Sequence, residues 1–146
     1  MKIRVLLFAL ISALALAPAG LRAADDDQTE LGAKMEKVGG AWRRIKTQIS
    51  DASKNEDTLA KLAVVKENLV AAGKFEPDLA KTKSGAEKEK FVADFRAKLK
   101  EEIEKVDKIT AAVKAGKNEE AAKLVGVVDQ DQKDAHKQFK KAKKKQ

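Results

Sequence analysis

The chain contains no cysteine and no tyrosine, and it has only two prolines, eight glycines, one tryptophan and one histidine. Without thiols there is no disulfide framework, zinc finger, iron–sulfur cluster, cysteine nucleophile or thioether-attached haem. The single histidine, His136, excludes a histidine-rich metal cage. Glycine and proline are too scarce for the turns of a sandwich or barrel. No serine–histidine–aspartate set, glycine-rich phosphate loop, HExxH or paired-carboxylate motif stands out, so the chain is not expected to be an enzyme. What it has instead is charge, 37% of residues, among abundant Ala, Lys, Glu and Leu. That composition predicts long solvated helices, and 146 residues suffice for one domain.

The first residues read as an address. Lys2 and Arg4 precede an apolar run from Val5 to Leu16, broken by Pro18 and Gly20, and Leu21-Arg22-Ala23 resembles a small-residue cleavage site. This is the layout of a secretory signal peptide. The alternative is an uncleaved membrane anchor, but the run falls short of the roughly 20 residues that a spanning helix needs. The expected division is therefore a signal peptide over residues 1–23 and one exported domain over 24–146, with no stable membrane insertion after cleavage near Ala23. Removing Lys2, Arg4 and Arg22 lowers the net charge from +8 to +5.

Four amphipathic segments follow. Leu31, Met35, Val38, Trp42, Ile45, Ile49 and Ala52 recur at alternating steps of four and three, a period that a strand cannot produce. Leu59, Leu62, Val65, Leu69 and Ala72 form a second stripe that begins near Asn55 and stops at Gly73. A loop is expected over 74–85, around Pro77, Ser84 and Gly85. Val92, Phe95, Leu99, Ile103, Val106, Ile109 and Val113 form the third stripe, which Gly116 ends. Asn118 is expected to cap a fourth helix bearing Ala121, Leu124, Val125, Val128, Gln132, Ala135 and Phe139. Glu101–Lys105 and Glu104–Lys108 are expected as surface pairs one turn apart. The connections at 53–55 and 116–117 are too short for anything but antiparallel neighbours. The predicted fold is all-α, a single antiparallel up-down-up-down four-helix bundle.

Two rare residues are expected at one end of that bundle. Met35 lies about two turns into the first helix, and His136 about two turns before the end of the fourth. An up-down bundle sets these depths opposite each other, and a thioether facing an imidazole is a good axial pair for a haem iron. Each residue also has a plainer reading: Met35 as core filler, His136 as an exposed residue favoured by the helix dipole.

Four further stretches bear on these residues. They are Met35-Glu36-Lys37-Val38 with Trp42-Arg43-Arg44-Ile45, Asp94-Phe95-Arg96, Gly116-Lys117 with Glu120-Ala121, and Ala135-His136-Lys137-Gln138-Phe139-Lys140. In this order they resemble the cytochrome b562 family over nearly all of residues 30–141, and more distantly the cytochrome c-prime family. The resemblance implies one non-covalent haem b per chain, with Met35 and His136 as its iron ligands. It also implies that Phe95 and Leu99 pack on the haem and that Lys140 stands near its propionates, while Val38, Trp42 and Phe139 join the site from their place on the stripes. Covalent attachment is excluded, since Gln132 and Ala135 stand where c-type relatives have cysteines. Gln132 also replaces a basic residue of the b562 pattern.

The resemblance further implies a periplasmic one-electron carrier, because two axial ligands leave no open position on the iron. Six Lys among residues 137–146 would suit an acidic redox partner, although a solvated helix end explains them as well. No nucleic-acid partner is expected at so modest a net charge. The competing reading is a haem-free bundle of the same ancestry that binds proteins or a metal.

Overall fold

The computed structural model describes residues 29–139. The expected signal segment, the residues up to 28 and the tail from Lys140 onward lie outside the described residues. Four helices are present: α1 (Glu30–Gln48), α2 (Asn55–Ala72), α3 (Gly85–Lys114) and α4 (Asn118–Phe139). They form the expected all-α bundle.

The helix ends follow local chemistry. Thr29 caps α1, its hydroxyl accepting from Gly32 N at 3.1 Å, and so satisfies one of the first-turn donors. α1 stops at Gln48, before the end of its apolar stripe, and Ala52 is exposed in a short 3-10 turn, Ala52–Lys54. Asp51 starts that turn by accepting from the Ser53 backbone and hydroxyl. The long connection after α2 is not wholly irregular, because Asp78–Thr82 forms another 3-10 turn that buries Ala80 and Pro77. Gly116 ends α3 with φ +70°, a left-handed conformation that favours glycine.

Asn118 does not serve as the expected cap. Its amide donates to Ile49 O and Asn55 Oδ1, each at 2.7 Å, and Asn55 Nδ2 reaches back to Asn118 Oδ1. A buried amide has more hydrogen-bonding capacity than one cap uses, and here it pins the start of α4 to the end of α1 and the start of α2.

One apolar cluster runs through the bundle, with Ile45, Leu62, Val65, Val106, Ile109 and Val128 at its buried centre. Close backbone packing joins α1 to α2, α2 to α3 and α3 to α4. α1 and α4 are not so packed. Their tie is polar: Lys46 Nζ lies 2.7 Å from Asp129 Oδ1. No helix among the described residues is long and apolar enough to cross a membrane.

Candidate functional site

The α1–α4 edge is where the rare residues meet the fold. On α1, Met35, Gly39, Trp42 and Lys46 step along one side at intervals of four and three, and Lys46 reaches α4. On α4, Asp129, Gln132 and His136 step along one side in the same manner, and Asp129 reaches α1. Met35 and His136 therefore lie on facing edges. At 1.5 Å per residue, Met35 stands about 16 Å and His136 about 10 Å from the Lys46–Asp129 tie, both on the same side of it.

Burial differs between the two. Met35 is half-buried and packs against the core cluster, whereas His136 is exposed. A Cβ built at Gly39 or Gly40 meets nothing within 4 Å, so the space beside α1 next to Met35 is open. This edge thus combines an accessible imidazole, a thioether on apolar packing and a glycine that leaves room. Those features fit a flat, largely apolar group that takes one ligand from each helix.

The apolar side of the site is built by α1, α3 and α4. Val38 and Trp42 are buried at 1% and 2% exposure, and Phe95, Leu99 and Phe139 join the same cluster. The Phe139 ring lies edge-on to Phe95 at 5.4 Å between centroids and tilted against Phe91 at 5.3 Å, geometries that suit aromatic quadrupoles. Lys83 Nζ sits over the Phe91 ring, 5.0 Å from its centroid. Phe91 is a residue that the third stripe misses, since that stripe begins at Val92. Its place one turn before Phe95 is the signal that could have found it. Lys140 lies outside the described residues.

Two buried polar atoms mark the layer beneath this aromatic group. Among the described residues, neither Trp42 Nε1 nor Glu102 Oε2 has a hydrogen-bond partner. Leaving such a group unpaired costs about 1–3 kcal/mol. Glu102 is 6% exposed on α3, three residues after Leu99. Glu102 is thus an acid inside the core, not on a polar face. Lys105 pairs with Glu102 at 2.9 Å and with Asp131 of α4, not with Glu101, which goes to Lys98. Burial pushes the Lys105 ammonium down, but hydrogen bonds to Asp131 and Glu102 outweigh it and hold the pKa above the usual lysine value.

The same ion pairs set the height of that layer. Asp129 and Asp131, two residues apart on α4, hold Lys46 of α1 and Lys105 of α3 at nearly one level. Trp42 lies four residues before Lys46 and Glu102 three before Lys105, on helices that run parallel. An unpartnered donor and an unpartnered acceptor thus share one layer of the core.

Other depressions lie elsewhere. Shallow ones at the α3–α4 turn, lined by Ala112, Lys117, Glu120 and Leu124 among others, are at the opposite end of the bundle. No cluster of three or more His, Asp or Glu side chains suited to a metal ion occurs among the described residues.

Comparison with curated proteins finds no match, and neither does comparison with solved structures. The family model described as cytochrome b562 matches residues 30–140, which takes in all four helices and both Met35 and His136. The chain belongs to the cytochrome b562 family.

Proposed function

We propose that this chain is an exported b-type cytochrome that carries one electron at a time, with one haem held non-covalently between Met35 and His136. The observation that carries this reading is the placement of a thioether and an accessible imidazole on facing edges of α1 and α4, where the two helices lack close backbone packing. When bound, the haem supplies a single ferric/ferrous couple. Met35 and His136 would hold the iron from the two helices and so leave it no open position for substrate or dioxygen. Val38, Trp42, Phe95, Leu99 and Phe139 would shield the macrocycle from water. That shielding disfavours the extra charge of the ferric state, as does a soft thioether ligand. Lys140 would pair with a propionate carboxylate.

The membership in a cytochrome family supports haem binding, and the apolar run before Pro18 supports export to the periplasm. The division into a signal peptide over 1–23 and a haem-binding domain over 24–146 follows from the same run. Electron exchange would take place with an acidic partner steered by the lysine-rich surface of α4 and the residues after it.

The test is an absorption spectrum of the purified exported protein with and without haemin. Expected is a red product with sharp bands on reduction, lost in His136→Ala and shifted in Met35→Ala. A colourless protein that ignores haemin would sink the reading in favour of a haem-free bundle.

A further inference from the structure

We propose that Trp42 Nε1 and Glu102 Oε2 form a subsite for one hydroxyl group at the inner wall of the site. The indole N–H donates to the hydroxyl oxygen, and the carboxyl oxygen accepts from its O–H. The proposal rests on the haem reading of the α1–α4 edge only for what that wall faces. Trp42 is 2% and Glu102 6% exposed, and neither atom has a partner among the described residues. Buried polar atoms are seldom left so, and a donor and an acceptor in one layer call for a common explanation. An indole N–H can only donate and a carboxylate oxygen can only accept, whereas a hydroxyl does both at once.

The ion pairs fix the two levels. Trp42 lies four residues, about 6 Å, before Lys46, and Glu102 three residues, about 4.5 Å, before Lys105. Those lysines bond to Asp129 and Asp131, about 3 Å apart along α4, so the two levels differ by about 1.5 Å. α1 packs on α2 and α3 packs on α4, but α1 and α3 lack close backbone packing. Their side chains therefore approach from opposite corners of the bundle, and a group set between them completes both. The other carboxyl oxygen is already used. Lys105 Nζ lies 2.9 Å and Lys98 Nζ 3.6 Å from Glu102 Oε1, with Lys105 shared by Asp131 and Lys98 by Glu101. Oε2 is the acceptor left over for a ligand.

This layer lies inward of the site. Trp42 is seven residues, about 10 Å, from Met35, and Glu102 follows Leu99 by one turn. The edge of a flat group held by Met35 and His136 that points into the bundle faces these two atoms. The hydroxyl comes from one of two sources with the same chemistry: a hydroxyalkyl substituent on that edge, or one ordered water. A purely hydrocarbon edge leaves both atoms to water, whereas a hydroxyalkyl edge takes over both bonds. Displacing an ordered water loses affinity unless the incoming group reproduces its hydrogen bonds, so the subsite selects for a hydroxyl-bearing ligand.

The test has two arms, both on the full exported chain. In the first, the ligand-free protein is labelled with nitrogen-15. Trp42 is the single tryptophan, so one indole N–H signal reports the subsite. In the wild type that signal should cross-relax with a long-lived water, and Glu102→Leu should lose the contact. In the second arm, three iron porphyrins that differ only in two side chains (vinyl, ethyl or 1-hydroxyethyl) are titrated by absorption. The wild type should bind the hydroxyethyl form roughly tenfold more tightly than the ethyl form, the effect of one well-made buried hydrogen bond. In Trp42→Phe that ratio should fall to one or below, whatever the absolute affinity. A water contact without the preference assigns the hydroxyl to water, and the preference assigns it to the ligand. Neither one overturns the proposal, and the haem reading stands if haemin still binds. A preference that persists in Trp42→Phe overturns the ligand source; if that variant does not fold, persistence in Glu102→Leu does the same. A chain that binds none of the porphyrins overturns the haem reading, and the water contact then decides the subsite by itself.

Discussion

At one end of the bundle α1 and α4 are tied, and at the other they present reactive side chains to each other. The tied end has Lys46 on Asp129, the Asn118 amide on Ile49 O and Asn55, and Ile45 and Ile109 fully buried between the helices. The far end has Met35 half-buried, His136 exposed and open space beside Gly39. Both ends belong to the same two helices with the same heptad period. The difference is one of completeness: shape and hydrogen bonding are satisfied at the tied end, and the open end leaves side chains accessible. The aromatic group of Phe91, Phe95 and Phe139 supports the open end from α3, so α4 stays docked there without close packing on α1.

The strongest way to break this contrast is to hollow the tied half. Ile109 is 0% exposed, and Ile109→Ala should lower apo-protein stability by about 2–5 kcal/mol in a urea titration. Haemin stoichiometry should stay unchanged wherever the variant is folded. Asn118→Ala is next. It strips donors from Ile49 O and Asn55 Oδ1 and should lower stability by about 1–3 kcal/mol, again read by urea.

Gly39 sharpens the comparison from the open end. A Cβ there meets nothing, so Gly39→Ala should raise apo stability by about 0.5–1 kcal/mol through helix propensity. Gly39→Phe should instead weaken haemin binding in an absorption titration, because the ring would occupy the space left for the ligand. Equal haemin affinity for Gly39→Phe and wild type would show that this space is not used.

The smallest effect concerns the tie itself. The hydrogen bond from Lys46 holds the Asp129 carboxyl below the usual aspartate range; burial opposes it, and the Lys46 charge and Lys133 add smaller lowering effects. A depressed folded-state pKa contributes stability above the ordinary aspartate value of 3.8 and loses it as pH falls through the folded value. Asp129→Asn should therefore lower stability slightly at neutral pH, by about 0.2–1 kcal/mol as for other exposed pairs, and converge with wild type below about pH 4, so that its acid limb is flatter. An acid limb identical to wild type would show that the tie contributes nothing.

Much of this molecule was legible along the chain. The stripes of α1 and α3 gave helix type, core face and approximate ends, because a period of 3.6 can be satisfied by one geometry alone. Gly116 marked its turn for an equally local reason, since a left-handed residue there is easiest for glycine. A period-based reading fails at residues that border a stripe. Glu102 and Ile103 are neighbours, and the pattern assigns burial to the isoleucine. In the fold Glu102 is 6% exposed and Ile103 half-buried, because Lys98 and Lys105 flank Glu102 and Asp131 of α4 reinforces Lys105.

The sequence by itself determined the four helices, their antiparallel order and the depths of Met35 and His136, since periodicity and short connections are local properties. Tertiary structure alone decided where the Asn118 amide is spent, that Glu102 enters the core, and that α1 and α4 are tied at one end and open at the other. Those outcomes depend on which side chains meet across 58 to 83 residues of chain, as in Asn55 with Val113 O and Lys46 with Asp129, and no period along one helix encodes a partner on another.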